Sequence, residues 1–191
     1  MSLDYRARWA IGMLLVAAVL VTQGQHDATS LHLPQAAWAA FFLGGFYLRH
    51  ARLWALGLGL IWTLDYAAVT WGGVSDFCLT PAYLFMVPAY GVLWLAGRFC
   101  GTRFRALDWH SFSVLAVGLL SSIVVAETLA SGSFYLLSGR IEQVSPAGLA
   151  TYLMTWAPQT LEAFAFWIGV AAPIHAVARL LGGVSALGRS V

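Results

Sequence analysis

The amino-acid sequence predicts an all-α integral membrane protein: one transmembrane domain over residues 1–191, a bundle of six transmembrane helices with both termini cytoplasmic. Three observations predict it. Hydrophobic residues make up 60% of the chain and charged residues 9%, with mean hydropathy +0.77, where a soluble domain is about a quarter charged. Apolar runs close to the roughly 20 residues of a bilayer crossing recur along the chain. Arginines alternate with those runs so that nine of the ten fall on one side and only Arg140 on the other, a strong positive-inside pattern. Lipid offers the backbone no hydrogen-bond partners, so each run must be a helix.

The elements follow in order. Segment 9–23 comes after Arg6 and Arg8 and has no small-x-small cleavage site after Val21, so it reads as an uncleaved helix and not a signal peptide. Segments 35–49 and 53–71 flank Arg49 and Arg52. Segment 81–97 contains Pro88, which is expected to kink it. Arg98, Arg103 and Arg105 separate it from segment 110–130. Segment 159–180 carries Arg179 at its end and is followed by Arg189. A proline costs about 3 kcal/mol inside a helix, so Pro158 is expected to split off residues 148–157 as a separate short element. The external loops are then 24–34, 72–80 and 131–147. Trp9, Trp54, Trp94 and Trp109 mark the inner boundary, and Trp38, Trp71 and Trp156 the outer one.

Composition also excludes. The chain has no lysine and no asparagine, which fits a GC-rich bacterial genome. A Walker A loop and a Schiff base both need lysine, so the chain carries no ATP site and no retinal-type linkage. No CxxC, HExxH or GxSxG occurs. Nothing points to nucleic acid; the partner that the composition implies is membrane lipid.

The polar residues that remain gather on the external side. Cys78 lies in the second external loop and Cys100 at the cytoplasmic end of the fourth segment, about 30 Å apart across the hydrocarbon. A disulfide needs Cα atoms within about 7 Å, so the two cannot pair within one chain. Cys78 is either a small apolar residue tucked under its loop, one half of an intermolecular disulfide, or a soft metal ligand. Asp65, Glu127 and Glu162 all fall in the outer half of apolar segments, where a carboxylate costs about 2.5–3.5 kcal/mol at the bilayer centre. Singly, each could reach water or Arg140; together they suggest a polar pocket open to the outside. Tyr66, Trp71, Phe77, Tyr83, Phe134, Tyr135, Tyr152 and Trp156 cluster on the same side, mostly as belt and core. His50, His110 and His175, near the cytoplasmic ends among arginines, read as solvated. His26 and His32 lie in the first external loop.

Leu64-Asp65-Tyr66 near the outer end of the third segment, followed by Asp76-Phe77-Cys78-Leu79-Thr80-Pro81 and Tyr83, resembles the solitary cobalamin-specific S-components of energy-coupling-factor vitamin transporters. The likeness spans nearly the whole chain. It implies an S-component-like bundle that takes up vitamin B12 across the bacterial inner membrane, with Cys78 as axial ligand to the cobalt of the transported cobalamin and Asp65 and Tyr83 beside the vitamin. Corrin amides would suit Asp65, Glu127 and Glu162 as acceptors, and the disc would suit Tyr66, Trp71, Phe77, Tyr83 and Tyr135. A thiolate on cobalt would also assist removal of a cyano ligand, making Cys78 catalytic in a decyanation. Partnered S-components dock to a coupling module through Ala-x-x-x-Ala in helix one. Here Ala10 pairs with Leu14 and Ala17 with Val21, so that motif is absent, and small-residue pairs that would allow close packing stand instead at Ala36-x-x-x-Ala40 and Ala55-x-x-x-Gly59. The competing readings are an S-component for another vitamin or metal, a membrane thiol enzyme using Cys78 with His26 or His32 as base, and a structural membrane subunit.

Overall fold

The computed structural model describes residues 5–23, 33–73, 75–104 and 108–187, with side chains left undescribed at residues 5, 6, 78 and 178–187. His26 and His32 lie outside the described residues. Every regular element among the described residues is helical: α1 (Tyr5–Thr22), α2 (Ala37–Tyr47), α3 (Ala51–Trp71), 3₁₀ turns at Asp76–Cys78 and Pro81–Phe85, α4 (Met86–Arg103), α5 (Trp109–Leu137) and α6 (Pro146–Leu187). Four stretches are long and apolar enough to cross a membrane: Ala51–Trp71, Pro81–Arg103, Trp109–Leu137 and Pro146–Val177. The chain is a multi-pass membrane protein. The end carrying Trp71, Leu137 and Pro146 is called upper below, and the end carrying Ala51, Arg103 and Trp109 lower.

α2 departs most from the sequence expectation. It has 11 residues, about 16 Å at 1.5 Å per residue, roughly half of a 30 Å hydrocarbon layer. It is also the most enclosed helix, with Ala37, Ala39, Phe41, Phe42, Leu43, Gly44 and Gly45 all buried. Glycines explain how it fits. A Cβ on Gly45 would collide with the carbonyl oxygen of Trp94, one on Gly97 with that of Phe42, and one on Gly101 with that of Phe46. The backbones of α2 and α4 therefore meet without side chains between them, through a Gly97-x-x-x-Gly101 seam of the small-x-x-x-small type. Of the small-residue pairs considered for docking to another protein, Ala36 is buried within the chain, whereas Ala55 is exposed and Gly59 has nothing within 4 Å of an added Cβ.

α2 ends at a strained corner. Arg49 has φ 62, the left-handed region that a non-glycine residue rarely adopts. Its guanidinium holds the corner by donating to the carbonyls of Phe46 (3.3 Å) and Gly101.

Both proline expectations are corrected. α6 runs through Pro158 and Pro173 without a break. Ending a helix in lipid exposes several backbone groups, whereas an internal proline frees only the carbonyl four residues back. Threonine hydroxyls flank the site: Thr155 donates to the Thr151 carbonyl (2.8 Å), and Thr160 Oγ1 lies 3.3 Å from the carbonyl of Trp156. Pro88 is not mid-helix. Residues 81–85 are 3₁₀, so α4 begins at Met86 and Pro88 falls in its first turn, where its missing N–H would have had no partner anyway. The third upper loop is also shorter than expected, because α5 continues to Leu137.

α5 starts on a side-chain cap: Asp108 accepts from the Ser111 N–H at 2.8 Å. That bond holds the Asp108 carboxyl below its ordinary pKa. A depressed carboxyl stabilises the fold above its unfolded pKa of about 3.9 and stops doing so as pH falls through the lower folded value. Asp108→Ala is thus expected to lower the melting temperature at pH 7 and to match wild type at strongly acid pH. An equal deficit at both would show that the charge does not matter.

Candidate ligand-binding site at the upper end

Asp65 lies on α3, six residues before its upper end at Trp71. Its Oδ1 accepts from Gln23 Nε2 at 2.5 Å, and its Oδ2 accepts from the Tyr83 hydroxyl. Gln23 Oε1 in turn accepts from Gln35 Nε2 at 3.0 Å. The next N–H along, that of Ala36, donates to Thr22 Oγ1 at 2.9 Å. One carboxylate thus ties together the C-terminal end of α1, the approach to α2, α3, and the 3₁₀ stretch that leads into α4. The Tyr83 ring sits beside Trp62, with centroids 6.3 Å apart. Trp62 Nε1 and Thr80 Oγ1 are buried with no hydrogen-bond partner among the described residues. Buried polar atoms are normally paired, so two such atoms flanking one carboxylate–phenol pair mark where a polar ligand would be welcome.

Cys78 closes the 3₁₀ turn Asp76–Cys78, whose N-cap Ser75 accepts from the Phe77 N–H at 3.2 Å. The backbone of Cys78 is described; its side chain is not. Phe77 is 47% exposed, 5.5 Å from the Phe134 ring, with the Arg140 guanidinium 5.2 Å above it. Arg140 therefore lies over an aromatic face. Phe134 stacks on Tyr152 at 6.5 Å, and Tyr152 touches both Tyr135 and Trp156. This ladder joins the Cys78 turn to α5 and α6.

The remaining residues singled out from the sequence go elsewhere. Glu127 is buried between α5 and α6, accepting from Ser131 Oγ (2.5 Å) and Thr160 Oγ1 (2.9 Å). It pins two helices together and shares no hydrogen-bond partner with Asp65 among the described residues. Tyr135 is 5% exposed. Its hydroxyl accepts from the Ser145 N–H (3.2 Å) and lies within hydrogen-bond reach of the carbonyls of Gln143 (3.3 Å) and Ser145 (3.4 Å), so it anchors the loop before α6. Tyr66 and Trp71 pack edge to face at 6.4 Å and are 62% and 79% exposed, the placement of a boundary aromatic pair. Glu162 sits two residues from Thr160 and two from the buried Phe164, so α6 turns it to the opposite side, exposed.

Gln23, Gln35, Trp62 and Thr80 were missed in the sequence. Trp62 stands three residues before Asp65, which puts both on one face of α3. That spacing was the available signal. At the lower end, His175 is not solvated as its arginine neighbours suggested. Its Nδ1 lies 3.1 Å from the Tyr47 hydroxyl, and its ring is 5.6 Å from that of Phe104. It borders a largely apolar cavity of about 340 Å³ between α2, α5 and α6.

No protein-family model matches the chain, and no curated protein is similar to it at a significant level.

Proposed function

We propose that the chain binds cobalamin at its upper end and carries it across a bacterial inner membrane, as an S-component-like bundle of six helices with both termini cytoplasmic and Cys78 as axial ligand to the vitamin's cobalt. The observation that carries the reading is the Asp65 node. It is a carboxylate, a phenol and two amides gathered at the N-terminal end of a half-length central helix, one short turn from the only cysteine at that end. α2 fills about half the layer, and among the described residues no helix continues it through the upper half beside this node. The Trp167 Nε1–H bond to the Pro34 carbonyl (2.9 Å) fits that, since it sets the approach to α2 level with the middle of α6.

The chemistry of the donors suits the cargo. A corrin supplies four equatorial nitrogens of its own, so a single soft protein ligand completes an axial position. Its peripheral amides match Asp65 and the orphan Thr80 hydroxyl and Trp62 N–H, and its flat faces match Phe77 and Tyr83. Glu127, Tyr135 and Glu162 drop out of the ligand set on this reading. When Cys78 binds as thiolate, it contributes an electron pair to cobalt and a cyano ligand departs as cyanide with the pair of its Co–C bond.

The test is an absorption spectrum of detergent-purified protein loaded with cyanocobalamin, beside Cys78→Ser. Wild type is expected to retain a corrin with displaced cobalt bands, and the variant to show the bands of the free vitamin. A colourless wild type under saturating vitamin ends the cobalamin reading. Identical spectra from both end the cysteine ligand.

A further inference from the structure

We propose that the outward face of α6 is the contact surface for a second copy of this chain, formed by two reciprocal pairs: Glu162 with Gln159 of the second copy, and Phe166 with Gly169 of the second copy.

Depth is the first argument. The apolar stretch Pro146–Val177 has 32 residues, and a hydrocarbon layer takes about 20 of them. Every register of 20 residues within that stretch contains both Gln159 and Glu162. Wherever α6 sits, a carboxylate and an amide lie at hydrocarbon depth. Both are exposed, and neither has a described partner within the chain. Against acyl chains alone that arrangement is costly, and polar side chains within membrane spans normally face protein or a water-filled cavity.

The pattern on the face then selects the occupant. At about 100° per residue, Thr155 falls opposite the buried Phe164. Glu162 and Gly169 lie within about 40° of Thr155 to one side, and Gln159 and Phe166 within about 40° to the other. A two-fold axis along the helix brings one side of this face against the other side of its mate. The acceptor of each copy then meets the amide donor of the other. The 38% exposed Phe166 ring of each meets Gly169, where an added Cβ has nothing within 4 Å. Members of each pair are three residues apart, an axial offset of about 4.5 Å that side chains can span. Thr151 and Thr155 donate their hydroxyls back to their own helix at 3.0 and 2.8 Å. The midline is therefore smooth and makes no demand on the partner. A single-sided partner would explain the carboxylate; only a second copy explains why donor and acceptor, and ring and notch, are arranged about one midline.

Disulfide trapping in native membranes tests this, in a Cys78→Ser background with Cys100 left buried. Thr155→Cys lies on the midline and is expected to meet itself, giving a covalent dimer as the main species. Met154→Cys, 75% exposed in the native chain but about 100° off the midline, is expected to give almost none. No trapping from Thr155→Cys, or equal trapping from both, overturns the proposal. The mass of unmodified protein in lipid nanodiscs gives a second readout. Two chains per particle are expected for wild type, with Gly169→Leu weakening the dimer roughly tenfold or more. A wild type that stays a single chain at every concentration also overturns it. The Asp65 node is not part of this surface, so cobalamin binding and dimerisation fail or survive separately.

Discussion

Gly97→Leu is expected to yield no folded protein, while Gly59→Leu is expected to behave as wild type. The two glycines lie on neighbouring helices, and the sequence pointed to Gly59, in Ala55-x-x-x-Gly59, rather than to Gly97. At Gly97 a side chain would occupy the space of the Phe42 carbonyl. The α2–α4 seam is backbone on backbone, so no flexible side chain can move aside. Relief requires separating the helices along the whole buried face of α2. Overpacking in a core costs about 1–3 kcal/mol even where side chains can adjust, and a larger loss is expected where they cannot. At Gly59 nothing stands within 4 Å, so the change should stay within about 0.5 kcal/mol. Thermal melting with size-exclusion profiles in detergent reads both. A well-folded Gly97→Leu would mean that α2 and α4 are not in backbone contact.

The second large effect is expected at Asp65. Asp65→Ala removes an acceptor pair and with it two hydrogen bonds to a carboxylate, from the half-buried Gln23 amide and Tyr83 hydroxyl. A hydrogen bond to a charged group contributes about 1.5–3 kcal/mol, so a stability loss of about 2–4 kcal/mol is expected, together with a cobalamin affinity lowered roughly tenfold to a hundredfold. Tyr83→Phe leaves the Gln23 bond intact and should cost about 1 kcal/mol. Asp65→Asn keeps an acceptor for the phenol and should fall between. Melting curves and equilibrium titration with the vitamin separate the structural part from the ligand part. If Asp65→Ala melts and binds as wild type does, the node neither holds the upper end nor meets ligand.

What could be read from the sequence follows from where the signal resides. Apolar length and arginine spacing are local properties, so the helices and their order were visible. The half-length of α2 was not, although Pro34 and Gln35 before it and Arg49 and His50 after it bound a short apolar run; a run of about 15 residues was counted as a tilted or thinned crossing. Pro158 was read as a stop because propensity scales describe helices in water; in lipid the alternative to a strained helix is worse. Asp65 and Tyr83 were linked only through the family resemblance, and their direct contact depends on how the chain turns at residues 76–85. Gln23 was invisible because glutamine after an apolar run looks like an ordinary helix end. Glu127 and Glu162 look alike in sequence, yet a shift of about 100° per residue sends one between helices and the other outward. His175 was misjudged from its neighbours in sequence, since its environment is made by α2 and by Phe104, far away along the chain.

The short, enclosed α2 has a consequence for how membrane thickness acts on this protein. α3 has 21 residues and about 31 Å of length, close to a hydrocarbon layer, whereas α5 with 29 reaches about 43 Å and must tilt or protrude. Hydrophobic mismatch therefore bears on the outer helices, and α2 has almost no lipid contact through which to feel it. Thinning the bilayer should tilt α5 and α6 further while the α2–α4 seam stays fixed. That changes the width of the upper end, where the Asp65 node lies, and leaves the lower end as it was.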